Sequence, residues 1–151
     1  MNPARYGSRG TKAYTSPRPF GGFQVPISLQ SSAIRRYCDE LGLTFHLHAN
    51  ENLISESYLV LESIVDRASE YEGIAMCSVD MLPRRRSHRL EIVRRSISAG
   101  CRLHFVFERL IVATEGDVSE LEDLRALGGL GAMTAQRATQ LRELGAVLSS
   151  C

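Results

Sequence analysis

The sequence predicts a single three-layer α/β domain: a mainly parallel, doubly wound sheet of four to five strands with helices on both faces. Three observations carry this expectation. The stretch GIAMCS, Gly73 to Ser78, is apolar or small with no alternation, as in a strand covered on both faces. It runs into a polar loop at Ser78 and Asp80, is ended by Pro83, and leads to a helical pattern from Ser87. Strand-like runs near residues 11, 43, 73 and 101 alternate with amphipathic segments that carry helix start and stop signals.

Each element follows in order. Residues 1–10 mix Asn, Pro, Arg, Gly and Ser without periodicity and read as a flexible tail. Thr11 to Thr15 forms a short first strand. The loop SPRPFGGFQVP, Ser16 to Pro26, holds three prolines and two glycines, the composition of a structured loop. Ser28 caps a helix with Leu29, Ala33, Tyr37 and Leu41 at helical spacing, and Gly42 closes it. Leu43 to His48 alternates, with Leu43, Phe45 and Leu47 on one face and Thr44, His46 and His48 on the other. After the polar loop Ala49 to Glu56, Ser57 caps a helix whose inner face is Leu61, Ile64, Val65 and Ala68. The third helix presents Leu90, Val93 and Ile97, and Gly100 ends it. Cys101 to Glu108 is the fourth strand, and Leu110 to Ala113 a short fifth. Asp117 with Glu120 resembles a capping box for a helix along Val118, Leu121 and Leu124. The α/β domain thus spans 11–126. LGGLG breaks the pattern at Leu127, and residues 127–151 form a helical extension whose stripe packs on the sheet or on a second copy.

Composition sets outer limits. The 151 residues suffice for one domain with a proper core, and 44% apolar with 23% charged content is ordinary for a globular chain. A formal net charge of +1 argues against nucleic acid or an anionic membrane as partner. Lys12 is the only lysine; the remaining cations of the charge count are arginines, whose planar fork suits phosphate and carboxylate. Cys38, Cys77, Cys101 and Cys151 show no CxxC pair and read as free thiols of a reducing, cytoplasmic compartment. No apolar stretch is long enough to span a membrane.

Several blocks in one order resemble the sporadic carbohydrate cluster proteins of bacteria: SPRPFGGFQVP, NEN followed by SYLVLE, GIAMCS with MLP, and AGCRLHFVFE. The resemblance runs from about Tyr14 to Glu122 and implies a place in carbohydrate biosynthesis without naming a reaction. A second, weaker resemblance is to the catalytic domain of serine recombinases, the resolvases and invertases. Their first strand leads to an arginine and a nucleophilic serine; here Tyr14 leads to Ser16 and Arg18 in the opposite order. VDMLPR keeps the family's motif aspartate as Asp80 and its last arginine as Arg84, with Met81 and Pro83 replacing arginine and glycine. No helix-turn-helix tail is evident after Glu122. This likeness implies a resolvase-like variant of the Rossmann-like sheet.

In doubly wound sheets ligands bind at the carboxyl ends of the strands, which selects the candidate residues. Ser16, Arg18, His48, Asn50 and Arg84 are candidates for substrate binding, and Glu51, Ser78, Asp80, His104 and Glu108 for catalysis. Glu51 offers a general base at the second strand's exit, or an ordinary loop hydrogen-bonding group. Asp80 offers the same choice between chemistry and an Asx-turn. His104 and Glu108 share a strand face as a His–Glu acid-base pair. His46 and His48 lack a third ligand, so no metal is expected, and no glycine fingerprint indicates a cofactor. The function expected from the pathway resemblance is a cofactor-independent isomerase or lyase acting on an anionic sugar, such as a sugar phosphate or nucleotide sugar. The alternatives are a non-catalytic partner of a pathway enzyme and a recombinase-like DNA-binding protein. A homodimer through the C-terminal helix completes the expectation.

Overall fold

The computed structural model describes residues 9–54 and 56–127. The elements run β1 (Thr11–Thr15), α1 (Ile27–Leu41), β2 (Phe45–Asn50), α2 (Leu59–Asp66), β3 (Gly73–Met76), α3 (Arg86–Ser98), β4 (Arg102–Phe105), β5 (Leu110–Val112) and α4 (Glu115–Ala126). Short 3-10 turns occupy Ala68–Glu70 and Val79–Met81. The sheet order is β2-β1-β3-β4-β5; the first four strands are parallel and β5 returns antiparallel to β4. Chain direction reverses across the sheet after β2, so right-handed crossovers set α1 on one face and α2 and α3 on the other. The α/β sheet read from the sequence is the fold of the molecule.

The central strand behaves as its composition dictates. Every residue of β3 is buried, and Ile74, Ala75 and Met76 are fully so. Gly73 has a steric reason: a Cβ there would stand 3.0 Å from the His104 ring. Gly42 adopts the left-handed conformation (φ 68°) that ends α1, and Leu43 N–H reaches back to Cys38 O at 2.8 Å.

Other elements differ from their sequence pattern. Helix α1 buries Gln30, Ile34, Tyr37 and Cys38, while Leu29 and Leu41 are exposed. The helix follows Pro26 directly, and its inner face is turned to bring Gln30 beneath the first loop. Strand β2 begins at Phe45, two residues late, and extends to Asn50; Leu47 is 73% exposed because β2 is an edge strand. A register irregularity against Lys12 and Tyr14 accompanies this shift. In α3 the buried positions are Arg89, Ile92, Val93 and Ser96, with Leu90 and Ile97 only partly covered. The α4 capping box is Thr114 with Asp117, one turn earlier than the Asp117–Glu120 pair. Strand β4 stops at Phe105, so Phe107 and Glu108 lie in the turn that follows.

Cys38, Cys77 and Cys101 are buried free thiols, each pushed up by burial, to about 11, 12 and 12. Among the described residues no helix is long and apolar enough to cross a membrane. The N-terminal tail as far as residue 8, Cys151 and the helical extension from residue 128 onward lie outside the described residues, and with them the expected dimer contact.

Candidate functional site

The parallel strands open their carboxyl ends onto a cavity of about 740 Å³. Three loops and one helix line it. The β1–α1 loop contributes Ser16, Arg18, Pro19, Phe20, Gly21 and Gly22, and the β2–α2 connection contributes Leu53, Glu56 and Tyr58. Asp80, Met81 and Arg84 come from the β3–α3 connection, and Arg125 from α4. The position is the switch point between β1 and β3, where chain direction across the sheet reverses.

The first loop is held from below and folded back above. Gln30, fully buried, accepts from Ser16 N (3.0 Å) and donates to Ser16 O (2.6 Å) and Val25 O (2.8 Å). Phe20 and Phe23 exchange backbone bonds of 3.0 and 2.9 Å across Gly21 and Gly22, whose φ values of 59° and 80° a tight reversal requires. Arg18 is thereby fixed. Its backbone N and its Nε both donate to Ser16 Oγ (3.2 and 3.4 Å), its Nη1 donates to Ile54 O (3.0 Å), and its guanidinium lies 4.7 Å from the Tyr58 ring centre.

Arg125 reaches the cavity from α4 and places Nη1 2.9 Å from Asp80 Oδ1. Among the described residues Arg18 and Arg84 form no ion pair with a carboxylate, and the cavity's own acids are Asp80 and Glu56. Three guanidiniums from three elements therefore face one cavity against two carboxylates.

Of the sequence candidates, the cavity gathers Ser16, Arg18, Asp80 and Arg84. The others are committed elsewhere. Glu51, 3% exposed, accepts from Tyr14 Oη (3.0 Å) and from the N–H groups of Asn52 (3.1 Å), Val60 (3.2 Å) and Leu61 (3.1 Å). It serves as the anionic cap of α2, in place of Ser57. Burial and the neighbouring Glu51 carboxylate raise the Tyr14 phenol strongly. Asn50 accepts from the Thr15 hydroxyl, and His48 Nδ1 is 3.2 Å from Ser31 Oγ on α1. Ser78 Oγ accepts from Asp80 N at 3.1 Å and caps the 3-10 turn.

His104 and Glu108 do not form a pair. His104 Nδ1 is 2.7 Å from Tyr37 Oη, whereas Glu108 accepts from Val79 N at 3.0 and 3.2 Å. Alternation fails because β4 ends before Glu108. Sequence reasoning also passed over Tyr58, Arg125 and Gln30. Tyr58 stood within the quoted SYLVLE block, but nothing local in the sequence marks Arg125 or Gln30 as part of this site.

Burial sets two opposed pH dependences at Glu108 and His104. It pushes the Glu108 carboxyl up to about 7, outweighing the lowering bonds from Val79 and Ser78. It pushes His104 down to about 4, with Arg102 adding to the effect. Glu108 stays protonated in the folded chain where the unfolded chain has ionised. Its contribution is full below pH ~4.5 and is lost as pH rises through ~7. His104 acts oppositely: its contribution is full above pH ~6.5 and is lost as pH falls toward ~4. Each is worth on the order of 3 kcal/mol, and they cancel between pH ~4.5 and ~6.5. Glu108→Gln is expected to abolish the loss of stability between pH ~6.5 and ~7 and to expose the histidine slope below pH ~6.5. Urea midpoints from pH ~5 to ~8 read this directly; an unchanged profile would contradict it.

A scan against protein-family models gives no match, and a search of curated proteins gives none either. Solved structures do resemble the fold. The N-terminal catalytic domain of TP901-1 integrase superposes with a TM-score of 0.58 at 16% identity, covering 77% of this chain and 92% of that one. A resolvase family site-specific recombinase from Streptococcus pneumoniae gives a TM-score of 0.58 at 10% identity, covering 93% and 97%. The fold is that of resolvase-type catalytic domains.

These findings correct the expectations drawn from the pathway resemblance. No finding supports kinship with sporadic carbohydrate cluster proteins, and the neighbours are recombinase domains. The reading as an enzyme on an anionic sugar, or as a partner of a sugar-pathway enzyme, is overturned. So is the expectation against nucleic acid as a partner. It rested on a net charge of +1, which averages over the whole surface and hides the three arginines at one cavity.

Proposed function

We propose that the chain acts on DNA and takes a backbone phosphodiester into the cavity at the carboxyl ends of β1 and β3. The convergence of Arg18, Arg84 and Arg125 there carries the reading, and the resolvase-type fold supports it. A guanidinium presents paired donors to two phosphate oxygens, and charge-assisted bonds of this kind are the strong ones. Arg18 enters pre-organised, because its loop bonds and the Tyr58 ring have already fixed its rotamer. Arg84 is the freer donor. Arg125 is shared with Asp80, which holds it in place and reduces its net charge. Ser16 lines the same cavity and adds a hydroxyl within reach of the phosphate.

Affinity then comes from a local patch, and binding to duplex of arbitrary sequence falls in the weak non-specific range, a Kd of roughly 10⁻⁴ to 10⁻⁶ M at physiological salt. Arg84→Ala is expected to weaken duplex binding about ten- to a hundredfold, since it removes one charge-assisted contact and leaves the fold untouched. Fluorescence anisotropy with a labelled duplex at low salt is the test. Equal affinity of the variant and the parent chain would refute the assignment of Arg84.

A further inference from the structure

We propose that the chain prefers an unpaired DNA strand to duplex, because a ledge of phenylalanines beside the arginine cavity takes a base of that strand. The inference rests on the phosphodiester reading above and names the form of DNA that the same site holds.

The ledge is Phe20, Phe23 and Phe107, three of the five phenylalanines of the chain. Phe20 is buried and lines the cavity. Phe23 is its antiparallel bridge partner, and residues directly opposed in such a pair put their side chains on one face of the ribbon. The Phe107 ring, from the turn after β4, lies 6.5 Å from the Phe20 ring at a tilt of 33°. Phe23 and Phe107 are each 40% exposed, and neither belongs to the hydrophobic core. Core packing therefore does not account for them.

The ledge is held in place by its backbone. Gly21 and Gly22 close the ribbon in left-handed conformations, and Gln24 Nε2 donates to Pro17 O at 2.8 Å across its base. Phe107 N donates to Cys77 O at 2.8 Å, which ties the second exposed ring to the end of β3. Little freedom is then lost when a base stacks on these rings. Tyr58 is the other ring lining the cavity, and the Arg18 guanidinium already covers it at 4.7 Å.

A nucleotide joins an anionic phosphate to a flat base, and the site offers a partner to each. Arg18, Arg84 and Arg125 take the phosphate. The ledge suits the base, because every base has a π-face. On the opposite lip Leu53 lines the cavity while 75% exposed. Among the described residues the lining holds no cation besides the three arginines, so it cannot follow successive phosphates of a rigid duplex. In a duplex the bases are stacked and paired inside, and these apolar groups meet only sugar and phosphate. In an unpaired strand a base is free to turn onto the ledge while its phosphate stays among the arginines.

The probes are a labelled oligothymidylate, an abasic strand of the same length and a duplex of that length, each titrated against the full chain at one low salt. Oligothymidylate is expected to bind at least about tenfold tighter than either of the others. Phe23→Ala should weaken oligothymidylate binding about five- to a hundredfold and leave the abasic strand and the duplex within about twofold. Phe23→Trp keeps a stacking ring and introduces the only tryptophan of the chain. Its affinity for oligothymidylate should match or exceed the parent's, with fluorescence quenched by oligothymidylate and not by the abasic strand. Equal affinity for the three probes, a Phe23→Ala loss shared by the abasic strand, or an unquenched tryptophan would each overturn the proposal and leave the phosphodiester reading standing. Binding of none of the three probes would overturn both.

Discussion

Arg89→Met is expected to destabilise the fold by about 3–5 kcal/mol, the cost of breaking a buried ion pair from one side. Arg89 is 6% exposed and joins three pieces of structure. Its Nε and Nη2 grip Glu122 of α4 at 2.8 and 2.7 Å, and its Nη1 donates to Pro83 O and Arg84 O at 3.1 and 2.8 Å. Methionine preserves volume and removes five donors, stranding a carboxylate and two carbonyls. Glu122 keeps only the more exposed Arg86 at 3.3 Å. Because Arg89 fixes both the carbonyl of Arg84 and the helix that carries Arg125, duplex affinity should fall together with stability. A loss of unfolding free energy below about 1 kcal/mol in urea titration would show that α4 is held by other contacts.

Glu51→Gln is the second large effect, on the order of 3 kcal/mol. Three backbone N–H groups and the Tyr14 phenol all donate to this carboxylate. Glutamine offers one acceptor oxygen and turns an NH2 group toward donors, so buried N–H groups at the start of α2 lose their partner. A general base replaced by its amide would instead lose turnover with stability intact. Thermal or urea unfolding therefore separates the capping role seen here from the acid-base role suggested by the strand-end position. Unchanged stability would count against the cap.

The contrast shows which information is local. The buried strand Gly73–Met76 was legible because an unbroken apolar run has few other solutions, and the end of α1 was legible because Gly42 satisfies a backbone requirement. A site at the strands' carboxyl ends followed from the doubly wound class, but connection rules admit more than one strand order, and it is the structure that sets β1 beside β3. The inner face of α1 was not legible. Gln30 is polar and would ordinarily be placed outside; it is buried because the Ser16 backbone, 14 positions earlier, needs partners. Glu51 and Arg125 share that difficulty. Their partners lie 9 and 10 positions downstream of Glu51, and 45 positions from Arg125, so neither role leaves a mark on neighbouring residues. Net charge misled for a related reason, since a sum over the chain holds no information about where arginines converge.

The claim that a DNA phosphodiester occupies the three-arginine cavity is tested most directly by the salt dependence of duplex binding. Each phosphate neutralised adds about −0.9 to the slope of log K against log salt. With one phosphodiester held among Arg18, Arg84 and Arg125, the expected slope is about −1, reduced in magnitude in Arg84→Ala. A slope near zero, or no duplex binding at low salt, would contradict the account.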